Sequence, residues 1–456
     1  MFSATKLASA AFNSAASAIH GFLTIFDTSI TQIYDVVHNP ATNSIVVAGV
    51  DTMVSETIYG NTIMRMSANG QSVIFSTYWS DPAGRTVSTE VFDKTTKTGS
   101  SVRFPMSFGG ELAFAGYGVA SAAIGNGALE NSVSYKADSS VEGRYARGFT
   151  SYGTTRIVVS GQDGLLGGFL DVSGTNTWNK KFTSEFVTGH AYDSVNDRIV
   201  VISSDGSMVI LSSRSPVTGA AVFVKQFASG GGWYHTPYSV ACIAGYTYVT
   251  HGVGTGSGDI YLLVSKFDAA GNEIWTLFIE PPVDEKFYIA KMALASYISD
   301  SGVCLAVGCY PNSNTPSWKI MKIDSAGVVL WQSSLQRSES GLYDSIQVCG
   351  IDASSDLIYV CGIFQYADEI QTRGYVCGFP TDGSGFGTYE LDSSVPVRTF
   401  RYSSGSLSTS FFDNTSTFFE AGIDTLVAGT TPSAVSISLS SAATVKNRKY
   451  IALTAP

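Results

Sequence analysis

The sequence predicts an all-β protein, a single seven-bladed β-propeller with ordered N- and C-terminal extensions. Two observations carry this. A strand–turn–strand unit recurs along the chain, and each copy follows a second recurring element, a β-branched strand that ends in a small residue. The clearest copies are SKFDAAGNEIWTLF at 265–278 and MKIDSAGVVLWQSSL at 321–335. Lys266, Asp268, Gly271 and Trp275 fall on Lys322, Asp324, Gly327 and Trp331, an offset of 56 residues each time.

Other copies keep the glycine and vary the residue four positions on. They are Gly70 with Ile74, Gly174 with Trp178, and Gly219 with Phe223. Gly383 in GFPTDGSGFGTY has lost the aromatic, and YKADSSVEGRYARGF around Gly143 fills the remaining gap. From Gly70 to Gly383 is 313 residues, or about 52 for each of six intervals. The second anchor reads IVVAG, RIVVSG, RIVVISS, YVTHG, CLAVG and IYVCG. Turn signals such as HNPATNS, YDSVND and YISDSG precede it. Each unit therefore holds about four short strands, the size and content of a propeller blade. Closing such blades into a ring covers faces that an open stack would leave bare. Glycine supplies the positive φ of the hairpin turn, and the aspartate three residues earlier can bond the turn backbone. On this reading the copied residues are structural.

The organisation expected is an N-terminal arm over 1–21, a propeller over 22–402 and a β-rich extension over 403–456. Residues 80–140 break the rhythm and read as a blade with an insertion. FLTIFDTSI at 22–30 is the best candidate for a terminal strand that closes the ring. The first residues, MFSATKLASAAFNSAASAIHG, lack a continuous run of Leu, Ile or Val. They read as an Ala-rich arm with an apolar stripe of Phe2, Leu7, Phe12 and Ile19, not as a secretory leader. No run of 18 apolar residues suggests a membrane-spanning helix.

Composition narrows the function. The formal net charge is −10 and charged residues are 14% of the chain, so no basic face offers itself to nucleic acid. The one basic cluster is KNRKY, with Lys446, Arg448 and Lys449. All six cysteines lie in the second half in strand-like runs without a CxxC pair, and read as buried small hydrophobes in a reducing compartment. The five histidines show no metal-ligand spacing, and HExxH, GxSxG, P-loop and GxGxxG motifs are all missing from the sequence. No catalytic, cofactor or metal residues can therefore be assigned, and the expectation is a protein that is not an enzyme and carries no cofactor.

The units SKFDAAGNEIW, MKIDSAGVVLW and FLDVSGTNTW resemble the pyrroloquinoline-quinone-like and SBBP-type β-propeller repeats. That resemblance implies a propeller over about 70–400; the quinone and metal ligands of the enzymatic members find no matching residues here. The whole chain also resembles bacteriophage virion proteins in its Ala/Ser-rich start, sparse charge and Gly/Ser/Thr-rich β repeats. That resemblance implies a structural, tail-associated component, assembled in the host cytoplasm. Its partners would be other virion proteins held through both termini, with a propeller face free to touch a host surface. Assembly contacts are expected at Phe2, Leu7 and Phe12 at one end. At the other they are expected at Phe411, Phe412, Phe418, Phe419, Lys446, Arg448 and Lys449. A surface-bound propeller lectin or adhesin, or a propeller glycan hydrolase or lyase, are the competing readings.

Overall fold

The computed structural model describes residues 21–26, 30–55, 58–80, 86–88, 101–109, 116–123, 125–126, 128–136, 146–152, 156–161, 165–170, 175–182, 186–204, 208–227, 234–254, 260–281, 285–297, 301–311, 317–337, 345–365, 372–392, 398–405, 407–411, 419–422, 426–428, 433–435, 440–443 and 448–453. The described secondary structure is all β-strand. β1 (Gly21–Phe26) stands alone at the start. Successive antiparallel meanders follow. They are β2 (Ile30–Asn39), β3 (Ser44–Ser55), β4 (Ile58–Ser67) and β5 (Val73–Ser80), then β6 (Thr86–Ser88), β7 (Ser101–Gly109), β8 (Gly116–Ala123) and β9 (Leu129–Lys136). The third is β10 (Ala146–Tyr152), β11 (Arg156–Gly161), β12 (Leu165–Leu170) and β13 (Thr175–Phe182). The fourth is β14 (Phe186–Asp193), β15 (Arg198–Ser204), β16 (Val209–Arg214) and β17 (Ala221–Phe227). The fifth is β18 (Tyr234–Ile243), β19 (Tyr246–Gly254), β20 (Ile260–Phe267) and β21 (Glu273–Glu280). The sixth is β22 (Glu285–Tyr297), β23 (Gly302–Pro311), β24 (Ser317–Ile323) and β25 (Val329–Arg337). The last has three consecutive strands, β26 (Ser345–Ala353), β27 (Leu357–Gln365) and β28 (Thr372–Pro380).

The first strand completes this last sheet. β1 pairs antiparallel with β28, Leu23 opposite Cys377, and so occupies the fourth-strand place. Ring closure thus uses a strand from each end of the chain, which ties residues far apart in sequence into one sheet.

The remaining strands are β29 (Gly387–Asp392), β30 (Arg398–Ser404), β31 (Ser408–Phe411), β32 (Phe419–Ala421), β33 (Leu426–Ala428), β34 (Ser433–Val435), β35 (Ser440–Ala443) and β36 (Arg448–Leu453). From β30 onward each pairs with the outer strand of a different sheet. The partners run backwards around the ring: β25, β21, β17, β13, β9, β5 and finally β1. β29 adds outside β30 on the sixth sheet. Successive strands of this belt begin 7 to 11 residues apart, enough extended chain to reach from one rim edge to the next at about 3.3 Å per residue.

The expected seven-bladed fold does not stand as made. Its blades were to have four strands each, with residues 403–456 outside the ring as an extension. The described strands instead form sheets of five strands, and of six in one case, because the C-terminal segment is built into their outer edges. The physical reason is edge satisfaction. A four-stranded blade leaves a row of unpaired N–H and C=O groups on its rim, and each belt strand hydrogen-bonds that row. Within 80–140, where the sequence suggests a blade with an insertion, the described strands β6 to β9 form a sheet with β34, whose last hairpin turns at Gly125 and Asn126. Gly143, taken as the seventh turn, lies outside the described residues.

Burial explains the sequence pattern. β16 and β24 are buried along their whole length, and β15 along all but its ends. Each sheet has a neighbour on both faces, so the strands read as continuous apolar runs and not as alternations. The hydrophobic clusters bridge successive sheets. One joins Val200, Leu211 and Phe227 to Val249, Leu263 and Phe267; another joins Trp318, Ile320 and Leu335 to Ile346, Tyr375 and Phe379. Stability therefore sits between blades, at about 25 cal/mol for each Å² of apolar surface removed from water.

Candidate functional site

Three features could serve function: the joints between sheets, the end of the ring that carries the hairpins, and the innermost strands.

The joints explain the repeat. In the fifth sheet Asp268 accepts hydrogen bonds from Ala270 N and Asn272 N, each 2.8 Å, and Gly271 N donates to Asp268 O at 3.1 Å. Gly271 has φ +78°, and the ladder bulges between Lys266 and Phe267. This is a type I turn closed by a left-handed glycine. Asp324 and Gly327 build the same turn in the sixth sheet. Glycine is needed there for a second reason. A Cβ on Gly327 would lie 3.1 Å from the Trp275 ring of the preceding sheet. Trp275 Nε1 donates to Ser325 O in that turn at 3.2 Å, and Lys266 Nζ donates to the same carbonyl at 2.7 Å. Burial lowers the Lys266 pKa, while the Asp324 charge opposes that shift.

The relation repeats along the ring. Trp178 Nε1 donates to Pro216 O at 2.9 Å beneath Gly219. Phe223 lies under Gly271. Trp331 Nε1 donates to Thr381 O at 2.7 Å beneath Gly383. Trp178 and Trp275 are buried, and Trp331 is half-buried. Gly174 lies outside the described residues. Where Gly383 has no aromatic four positions on, β1 supplies one: Phe22 packs under Gly70 of the first sheet, and Thr24 Oγ1 donates to Gly70 O. In the first sheet the expected partner Ile74 is 47% exposed, and Phe75 pairs with Arg65 as Trp275 pairs with Lys266. The turn there is one residue longer after the glycine, which moves the wedge from the fourth position to the fifth.

In the first, fourth, fifth and sixth sheets an apolar residue at the matching place faces out: Ile74, Val222, Ile274 and Leu330 are 47%, 56%, 46% and 49% exposed. Before Trp178 the residue is the exposed Thr177, and before Phe22 it is the buried Gly21. Val328 beside Leu330 and Phe386 after Gly383 are exposed as well. Of the expected assembly residues, Phe411 is exposed and lies against Gly327, extending the Trp275 joint outward. Phe419 pairs its backbone with Phe227. Arg448 donates to Gln71 O from β36, and Lys449 pairs with Ile25. These belong to the ring wall and not to a detached arm. Phe2, Leu7, Phe12, Phe412, Phe418 and Lys446 lie outside the described residues.

The geometry of the innermost strands was not legible in the sequence. The innermost strands β10, β14, β18, β22, β26 and β2 contact one another in that order. Five of these strands carry a one-residue bulge at nearly the same depth. The extra residues are Tyr34, Arg147, Thr188, Tyr238 and Cys349. Tyr34, Arg147, Thr188 and Tyr238 each stand five residues before the strand's last residue, and Cys349 stands four. A wider irregularity interrupts β22 between Phe287 and Met292. Tyr34, Thr188, Tyr238 and Cys349 are half-buried, and so are Gln32, His190, Ser239 and Gln347. Gln32 Nε2 donates to Cys349 Sγ at 3.6 Å. The nearest sequence signal is the Gly after the bulged residue at Gly148, Gly189 and Gly350. At Gly350 a Cβ would meet Asp35 of the neighbouring sheet.

Histidine and cysteine placement bears on chemistry. His235 and His251 flank Phe227, with ring centroids 4.0 and 4.4 Å away. Burial pulls the His235 pKa down to about 4; burial and the His235 charge hold His251 well below its usual value. No group of three metal-ligating side chains occurs among the described residues. The six cysteines form no disulfide with one another; burial pushes Cys242 up to about 12 and Cys377 well above its usual value. No described helix is long and apolar enough to cross a membrane.

No family model and no curated protein sequence matches the chain. Solved structures similar to it include BamB from Moraxella catarrhalis, 13% identical over 76% of this chain and 85% of that one, TM-score 0.37. The WD40 β-propeller domain of Doa1 is 12% identical over 78% and 97%, TM-score 0.45. Kuenenia stuttgartiensis hydrazine synthase is 10% identical over 73% and 93%, TM-score 0.48. Identities this low speak to fold alone. By its own strand order and ring closure, the chain is an all-β propeller.

Proposed function

We propose that this protein is a non-catalytic structural protein whose propeller is a rigid interaction platform, and that it serves as a component of a bacteriophage particle, assembled in the host cytoplasm. The observation that carries the platform reading is the belt. One continuous C-terminal segment hydrogen-bonds the outer strand of every sheet, and β1 is held between β28 and β36. Such a ring resists splaying of single blades and offers its partners a fixed surface. The apolar row of Ile74, Val222, Ile274 and Leu330 suits docking to other virion proteins, since exposed apolar residues grouped on one face mark interaction sites. The particle reading rests on the style of the sequence: sparse charge, Ala/Ser-rich start and Gly/Ser/Thr-rich β repeats.

Two measurements test this. Mass spectrometry of purified native particles should find the chain at a fixed copy number; its absence from particles sinks the virion reading. Ile274→Asp with Leu330→Asp should leave the ring folded and reduce its incorporation. Unchanged incorporation removes the hairpin end as the docking face.

A further inference from the structure

A sheet edge that is long and regular invites another strand, and proteins blunt such edges by keeping them short or bulged. Among the described residues, the edges of this ring are blunted in those ways with one exception. On the inner side β2, β10, β14, β18 and β26 are bulged, β22 is interrupted, and β6 has three residues. On the outer side β31 to β35 have three or four residues each. β29, which covers β30, is bulged between Glu390 and Asp392. β36 is the exception. It has six residues, each paired in unbroken register with β1, and no described strand lies beyond it.

The Leu453 end of β36 is crowded. Leu453 shares a hydrophobic cluster with Tyr389 of β29, and a Cβ on Gly385 would lie 3.3 Å from Leu453 O. Toward Arg448 the strand is open: Lys449 and Ala452 are exposed, and Arg448, Tyr450 and Ile451 are half-buried. The strand also carries most of the basic cluster. Lys446, Arg448 and Lys449 stand in a stretch, 425–456, that has no Asp or Glu, within a chain of net charge −10. Arg448 donates to Gln71 O and Lys449 has interactions within the chain. These side chains therefore supply charge, and the strand's backbone supplies the hydrogen bonds.

We propose that β36 is an acceptor edge for an added strand, an extended segment of a partner protein with acidic side chains beside Arg448 and Lys449. Backbone pairing along an open edge gives such a segment its affinity, and neighbouring side chains select it. Opposite charges on adjacent strands stabilise the pair, whereas a second copy of β36 would bring two basic clusters together. This site is separate from the hairpin end and does not depend on the particle reading.

The test uses the full chain and fluorescence anisotropy with labelled peptides as long as β36. One alternates valine with glutamate, one alternates valine with lysine, and a third is the glutamate peptide N-methylated at every amide, so that it cannot donate ladder hydrogen bonds. Hydrogen exchange read by mass spectrometry locates the site. The glutamate peptide should bind and should slow exchange across β36. N-methylation, and lysine in place of glutamate, should each weaken binding about tenfold or more, as loss of backbone hydrogen bonds or of charge pairing does. Lys449→Glu should fold as wild type does and weaken the glutamate peptide about threefold or more. No binding of the glutamate peptide overturns the proposal. So does binding that leaves exchange in β36 unchanged, equal binding of the N-methylated or the lysine peptide, or a dimer in analytical ultracentrifugation whose β36 amides are already protected.

Discussion

The joint between the fifth and sixth sheets can be tested by pairing Trp275→Ala with Gly327→Ala. Trp275 is 8% exposed, and its removal leaves a cavity between two sheets, worth about 3–5 kcal/mol. Gly327→Ala has two separable costs. The first is the φ of +87°, which an alanine adopts at about 1–2 kcal/mol. The second is overlap of the new methyl with the Trp275 ring 3.1 Å away, about 1–3 kcal/mol in a packed interior. The methyl also meets Phe411, but that ring is 57% exposed and can swing aside. In wild type, Gly327→Ala should therefore cost about 2–5 kcal/mol. In the Trp275→Ala background only the φ cost remains, about 1–2 kcal/mol. The double variant should be more stable than the sum of singles predicts, by about 1–3 kcal/mol. Urea unfolding followed by far-ultraviolet circular dichroism measures all four proteins. A coupling below about 0.5 kcal/mol would refute the wedge, because independent sites add to within that margin.

Phe22→Ala should cost as much as loss of a tryptophan wedge, about 3–5 kcal/mol, because β1 carries it under Gly70; Phe411→Ala, at an exposed ring, should cost under about 1 kcal/mol by the same denaturation. A chain ending at residue 402 loses β31 to β36 and bares outer edges on successive sheets; gel filtration should show it associating and its melting temperature should fall, whereas an unchanged monomer would show that the belt is dispensable. Acid should destabilise the ring through His235. The unfolded state takes up the proton near pH 6.5 and the folded state only near pH 4, so this group's contribution is complete above about pH 6.5 and is lost as pH falls toward 4. His235→Phe should flatten the melting temperature between pH 7 and 4.5; a slope unchanged from wild type would place the acid sensitivity elsewhere.

The sequence by itself determined the local units. Asp268, Gly271 and Trp275 repeat as Asp324, Gly327 and Trp331 because the turn and wedge are short-range geometry, set within ten residues. Buried β-branched runs such as RIVVISS declared sheets covered on both faces. What only the tertiary structure decided depends on partners distant along the chain. Phe22 acts as a wedge because β1 joins β28, some 350 residues on, so the missing aromatic four positions after Gly383 gave no hint of it. The belt strands are short and rich in Ser, Ala and Thr, as in SAV and SSAA. The shortest lack periodicity because each is held by the backbone hydrogen bonds of an edge that already exists, whereas β30 and β36 also bury Tyr402 and Leu453 in the core. The bulges on the innermost strands have the same origin: each exists only in the register of a strand against its neighbour, which no local residue pattern has to record.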